Sequence, residues 1–173
     1  RRSFGGELCV PLLHLSATWA RRLKYAGWTA YHHNSATPPH CYPGIRSQLS
    51  FADRLATMAA VQEIGMAVCC GGIFGMCETP HDRLRMLEVL SNLEPAPESV
   101  PINCLMAMPG TPLAEQPPID IFDLVRLIAV TRLAIPKARV RLAAGRTRLS
   151  REGQALCFLA GANSIFYGDK LLT

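Results

Sequence analysis

Short apolar runs and helix-length amphipathic stretches alternate along almost the whole sequence. This alternation constrains the fold more than any other feature. Apolar segments lie at residues 7–13, Trp28 to His33, 66–70, Ser99 to Met106, Ala138 to Ala143 and Ser164 to Tyr167. Helical patterns fill the intervals, over 16–26, 51–64, 80–93, 120–135 and 151–160. Ser16, Ser50 and Ser150 stand as N-caps, Pro80 sits in a first turn where its missing N–H costs nothing, and Gly27, Gly65 and Pro136 stop helices. The faces expected to be apolar carry Trp19 and Leu23, Leu55 and Met58, Leu84, Leu87 and Leu90, then Phe122, Val125, Ile128 and Leu133. Strand–helix–strand units with short connections make a parallel sheet. About five such units are visible, whereas a closed eight-fold barrel takes typically ~250 residues. The 173 residues are therefore expected to form one α/β domain, 1–173. Its fold class is a partial parallel (β/α) barrel of the TIM type, roughly the second half of eight units.

Composition excludes several classes. With 49% hydrophobic and 18% charged residues the chain is not a disordered one. No apolar run approaches the roughly 20 residues of a membrane helix, so no membrane partner is expected. The net charge of +5 is spread over helix patterns without aromatic interleaving, which argues against nucleic acid. The opening Arg1-Arg2-Ser3-Phe4-Gly5-Gly6 leads into no signal-peptide core, and a sequence that starts mid-pattern without Met is expected to be a fragment. The seven cysteines lack paired spacings, so reduced thiols in a cytoplasmic or organelle-matrix compartment are expected. No C-x-x-C is present, which argues against a zinc ribbon.

The stretch Val68-Cys69-Cys70-Gly71-Gly72-Ile73-Phe74-Gly75-Met76-Cys77-Glu78 is the most informative one for chemistry. A strand ends in a thiol, a glycine-rich turn follows, and Thr79-Pro80 opens a helix. Glycines let a backbone approach a bound group because no Cβ intervenes. In a parallel barrel the C-terminal strand ends share one rim, and Cys9, Asn34, Cys69, Asn103 and Arg141 are expected there. Two thiols, two amides and a guanidinium offer no nucleophile–base pair for hydrolysis. By spacing alone Cys9 and Cys69 read first as buried thiols and Arg141 as a salt-bridge residue, while a turn former is the alternative for Asn34. Cys70, Cys77, Cys104 and Cys157 read as packing. His32 and His33, adjacent in a strand, face opposite ways and do not readily share one metal ion.

Glycines at 71 and 75 with Ile73 and Glu78 form a G-x-I-x-G-x-x-E pattern. It resembles an S-adenosylmethionine-contacting turn of radical enzymes. Tyr31-His32-His33-Asn34, Glu98 to Asn103, Gly110-Thr111-Pro112-Leu113, Val140 to Arg146 and Ala160 to Gly168 follow in the order and approximate spacing of the biotin synthase family, from about Glu7 to Thr173.

That resemblance implies a radical S-adenosylmethionine enzyme, a transferase that converts dethiobiotin to biotin with sulfur taken from a 2Fe-2S cluster. It implies Cys9, Cys69 and Arg141 as ligands of that cluster, with a third cysteine upstream of these residues. It implies S-adenosylmethionine contacts at Asn34, Gly71, Gly72, Ile73, Gly75 and Glu78, and dethiobiotin contacts at Asn34 and Asn103. A homodimer is implied for the whole enzyme. Two departures stand out. The family's C-x-x-x-C-x-x-C loop for a 4Fe-4S cluster is absent from these residues, so the piece alone is expected to be inactive. Ala36 replaces an aspartate expected to hold ribose hydroxyls, and His32 stands where the family usually has Asn. The alternative is a non-catalytic partial copy acting as a binding or scaffold piece.

Overall fold

A computed structural model describes residues 8–12, 15–34 and 51–167. Strands β1 (Cys9–Pro11), β2 (Ala30–His32), β3 (Ala67–Cys69), β4 (Gly72–Phe74), β5 (Ser99–Cys104), β6 (Arg139–Leu142) and β7 (Ser164–Ile165) form one sheet. Its order is β1-β2-β3-β5-β6-β7, with β4 also pairing β5, and every pairing is parallel. Helices α1 (Ala17–Tyr25), α2 (Phe51–Glu63), α3 (Pro80–Ser91), α4 (Ile121–Ala134) and α5 (Arg151–Leu159) lie between successive strands. Spatial order thus follows chain order, as in a (β/α) barrel cut open. No helix among the described residues is long and apolar enough to cross a membrane.

Alternation along the strands divides the sheet into two faces. Val10, Tyr31, Val68, Val100, Ile102, Val140 and Leu142 are buried in one core with Ala20, Met58, Val61, Leu87, Leu90, Leu124, Ile128 and Cys157 from the helices. Each fully buried side chain of this size contributes about 1.5–3 kcal/mol. The intervening residues, among them Cys9, Ala30, Cys69, Ser99 and Arg141, line the opposite face.

Local signals account for the helix boundaries. Ser16, Thr79, Asp120 and Ser150 each accept a backbone N–H at a helix start, and Thr79 with Asp82 completes a capping box in front of Pro80. The expected cap Ser50 lies outside the described residues. Helix faces differ from expectation at four positions: Trp19, Leu84, Phe122 and Leu133 are exposed. In α4 the buried stripe is Leu124, Leu127, Ile128 and Thr131. A partial sheet leaves helix flanks uncovered, so periodicity overstates how much of each apolar face is buried.

The expected strand over 66–70 is present as β3, but the glycine turn expected after it holds a further short strand. The chain breaks at Cys70–Gly71 and resumes as β4, which pairs Gly72, Ile73 and Phe74 with Ile102, Asn103 and Cys104. A Cβ on Gly71 would lie 1.9 Å from the Pro101 carbonyl oxygen, so only glycine allows this approach. Pro101 has no N–H to give the ladder, and the break falls beside it.

Candidate functional site

The register of the ladder sets the site. His32 stands opposite Cys69, Cys69 opposite Ser99, and Pro101 opposite Arg141. Cross-strand neighbours on one face meet side by side. A cleft of about 180 Å³ results, lined by Cys9, Cys69, Glu98, Ser99, Arg139, Arg141 and Phe166 with Ala30, Ala67 and Val68 of β2 and β3. Inside it the Cys69 thiol donates to Ser99 Oγ at 3.3 Å, and Arg141 Nε donates to the same oxygen at 2.6 Å. His32 Nδ1 lies 3.3 Å from Cys69 Sγ. The Arg141 guanidinium lies over the Phe166 ring at 5.2 Å, a cation–π contact. Phe166 meets the His32 ring edge-on, at 6.0 Å and 82°.

Burial pushes the Cys69 thiol up from its ordinary range, against the opposing pull of the Ser99 hydrogen bond and the charges of Arg141 and Arg139. Burial and then the Arg141 charge push His32 down, so its imidazole is neutral near pH 7. The Cys69 thiol is therefore neutral and touches a neutral imidazole, with the Arg139 and Arg141 guanidinium groups and the Glu98 carboxylate also lining the cleft. A soft cation that displaces the thiol proton would gain a thiolate already flanked by positive charge.

Three expected site residues, Cys9, Cys69 and Arg141, come together in this cleft. Cys9 does so from the first residue of its strand rather than from a C-terminal end. Among the described residues no three His, Cys, Asp or Glu side chains group closely enough to hold a metal ion by themselves. Cys69 and Cys70 are both buried, Cys70 in the core, and Cys157 packs there as expected. Cys77, expected to pack as a thiol, is disulfide-bonded.

The other expected residues do not line the cleft. Asn103 follows Ser99 by four residues, about 13 Å along the strand. Its Nδ2 donates to the Gly72 carbonyl at 2.9 Å, and its Oδ1 accepts from the Ala144 N–H at 3.3 Å. The amide therefore ties β4 to the end of β6. Asn34 follows β2, and its Oδ1 is buried without a hydrogen-bond partner. Such an oxygen costs about 1–3 kcal/mol unless a ligand satisfies it. Its carbonyl accepts from Arg54 at 2.7 Å. Ala36 lies outside the described residues.

Glu78 closes the glycine turn. Its carboxylate accepts from the N–H groups of Gly75, Met76 and Cys77 at 2.7, 2.9 and 3.2 Å, and from Arg83 Nε at 3.0 Å. Gly75 adopts φ +87°, which lets these amides converge. The carboxylate is thus committed to its own turn. Gly72 and Ile73 stand in β4, Ile73 beside Asn103.

Neither Ser99 nor Phe166 stands out individually in the sequence. Ser99 had one available signal, its place on the same face of its strand as Asn103. Phe166 had none beyond its motif.

Known proteins share the same outline. The Biotin and Thiamin Synthesis associated domain matches residues 101–173. The biotin synthases of Methylobacterium nodulans and Synechococcus elongatus are 59% and 58% identical over 172 residues, 99% of the chain. The chain spans 52% and 54% of their lengths, about half of each relative. The FeFe-hydrogenase maturase HydG from Carboxydothermus hydrogenoformans superposes with a TM-score of 0.79 at 17% identity, over 92% of this chain and 38% of that one. Methylornithine synthase superposes with a TM-score of 0.76 at 21% identity, over 93% of this chain and 47% of its own. These two likenesses establish the fold, a partial parallel barrel. By sequence, the chain is similar to the biotin synthases over nearly its whole length and spans about half of theirs.

Proposed function

We propose that this chain supplies the auxiliary-cluster portion of a biotin synthase, an enzyme that converts dethiobiotin to biotin. When bound, S-adenosylmethionine with a 4Fe-4S cluster supplies the radical, and a 2Fe-2S cluster supplies the inserted sulfur. The Cys9 and Cys69 thiolates and the Arg141 guanidinium hold the 2Fe-2S group, with one further ligand from outside the described residues. Thiolates suit iron, and thiols and a guanidinium lining one small cleft fit that donor set. Ser99 orients Arg141 by accepting its Nε hydrogen bond.

The glycine turn receives S-adenosylmethionine through Gly71, Gly72, Ile73 and Gly75, while Glu78 holds the turn's shape by gathering three of its amides. Asn34 meets a ureido N–H or a ribose hydroxyl with its unpartnered Oδ1. Asn103 orients dethiobiotin with the remaining donor of its amide. The whole enzyme is a homodimer working in the cytoplasm or an organelle matrix.

The observation that carries this reading is the convergence of Cys9, Cys69 and Arg141 on one cleft in a chain 59% identical to a biotin synthase. The test is anaerobic reconstitution of the chain with iron and sulfide. A 2Fe-2S absorption spectrum that is lost in Cys69→Ala and altered in Arg141→Ala is expected. A cluster that forms equally well without Cys69 sinks the assignment.

A further inference from the structure

Cys69 Sγ is approached from both neighbouring strands. On the β5 side stands Ser99, which also holds Arg141. On the β2 side stands His32, opposite Cys69 in the ladder, with Nδ1 at 3.3 Å from the sulfur. While Cys69 is a thiol, either group can supply the hydrogen of this contact. Once the sulfur is a metal-bound thiolate it carries no hydrogen, and only the imidazole N–H can donate. The ring is held in place for this donation, packing edge-on against Phe166, and Phe166 is itself covered by the Arg141 guanidinium. His33, the next residue, turns its Nδ1 to the Leu12 carbonyl and takes no part.

We propose that His32 donates a hydrogen bond from Nδ1 to the Cys69 sulfur when that sulfur ligates iron, and thereby tunes the reduction potential of the bound cluster. This inference rests on Cys69 being a cluster ligand. Hydrogen bonds to cluster sulfurs are one of the determinants of potential. A donor withdraws electron density from the thiolate and favours the reduced form. At this position an asparagine would have a shorter reach and no aromatic ring to lock against Phe166. His32 is therefore a positioning and tuning residue in this chain.

The test uses the full chain reconstituted anaerobically with ferrous iron and sulfide. It compares His32→Phe, which keeps a ring without the donor, and His32→Gln, which restores an N–H donor. His32→Ala serves where the phenyl ring prevents folding, judged by far-ultraviolet circular dichroism. Expected are a lower midpoint potential and thiolate-to-iron bands moved to longer wavelength in His32→Phe, with partial return in His32→Gln. Unchanged potential and bands in a cluster-containing His32→Phe overturn the inference while leaving the cluster assignment standing. A strongly coupled nitrogen in the pulsed electron paramagnetic spectrum, lost in His32→Phe, also overturns it, because His32 would then be an iron ligand. A cluster that forms equally in Cys69→Ala overturns the assignment and the inference together.

Discussion

Arg141 and Ser99 are joined by a 2.6 Å hydrogen bond from guanidinium Nε to hydroxyl oxygen, and that oxygen also accepts the Cys69 thiol at 3.3 Å. Ser99 is 4% exposed, and Ser99→Ala leaves the half-buried Arg141 Nε–H without its acceptor. The expected loss of stability is about 1–3 kcal/mol, read as a lower urea midpoint. The same change removes a hydrogen bond that pulls the Cys69 thiol down against burial. Less thiolate at a given pH means slower alkylation. Peptide mapping after iodoacetamide treatment should show slower labelling at Cys69, with labelling at Cys157, distant in sequence and buried in the helix-side core, as the internal reference. Equal or faster labelling at Cys69 contradicts the role given to Ser99.

The break between β3 and β4 is set by two residues on adjacent strands. Gly71→Ala places a Cβ 1.9 Å from the Pro101 carbonyl oxygen, which is backbone and yields only by moving a strand. Overpacking of this kind costs about 1–3 kcal/mol and occasionally more. Gly110→Ala is the control: its φ is +78°, yet nothing lies within 4 Å of the added methyl. It should cost only the strain of a left-handed alanine, roughly 1–2 kcal/mol. Thermal unfolding that ranks Gly110→Ala as the more damaging of the two would refute the strand-contact account.

Where physics is local, the chain was readable from its sequence. Thr79-Pro80 marks its helix because the cap and the first-turn proline act within four residues. The parallel sheet follows from alternation, and the meeting of Cys9, Cys69 and Arg141 from ordered motifs. What escaped depends on register between strands. Nothing within residues 66–74 says that Pro101 will lie beside Gly71, so a turn was expected after residue 70 where the structure adds a second short strand. Likewise the contact between His32 and Cys69 exists only because β2 and β3 align those residues. Leu84 shows the limit of periodicity: it shares a stripe with Leu87 and Leu90, but is 49% exposed while they are at 1% and 0%.

Alkaline conditions should weaken the fold. Burial, with a smaller push from Cys157, raises the Cys104 thiol to about 12, and burial raises the Tyr31 hydroxyl to about 12. Both are acids whose folded values lie above their ordinary ones, so the fold favours their neutral forms. Their stabilising contribution is complete below the ordinary values of 9.0 and 10.0 and is lost as pH climbs from there towards about 12. Urea midpoints should be flat near neutral pH and fall above about pH 9, in the linkage sense of more protons bound to the folded state. Cys104→Val should flatten the first part of that decline. An unchanged slope in that variant would show that Cys104 is not the group responsible.

Glu78 should be worth more to the turn than any glycine in it. Its carboxylate gathers three backbone N–H groups and Arg83, and its side chain is 2% exposed against 12% for Arg83. Arg83 in turn reaches Asp123 at 3.3 Å, so the carboxylate also links the turn to α4 through α3. Removing one partner of a buried pair leaves the other charge uncompensated, at a cost of about 3–5 kcal/mol. Glu78→Ala should show a loss of that size in urea unfolding. Glu78→Gln keeps an acceptor oxygen but gives up the charge and one lone-pair face, so about half the loss is expected. Asp123→Ala leaves the turn's own hydrogen bonds intact, and the Asp123 carboxylate is open enough to water to be screened, so this change should cost under about 1 kcal/mol. A Glu78→Ala variant as stable as the parent would mean that the turn keeps its shape without the carboxylate, and that the side chain is available to a ligand instead.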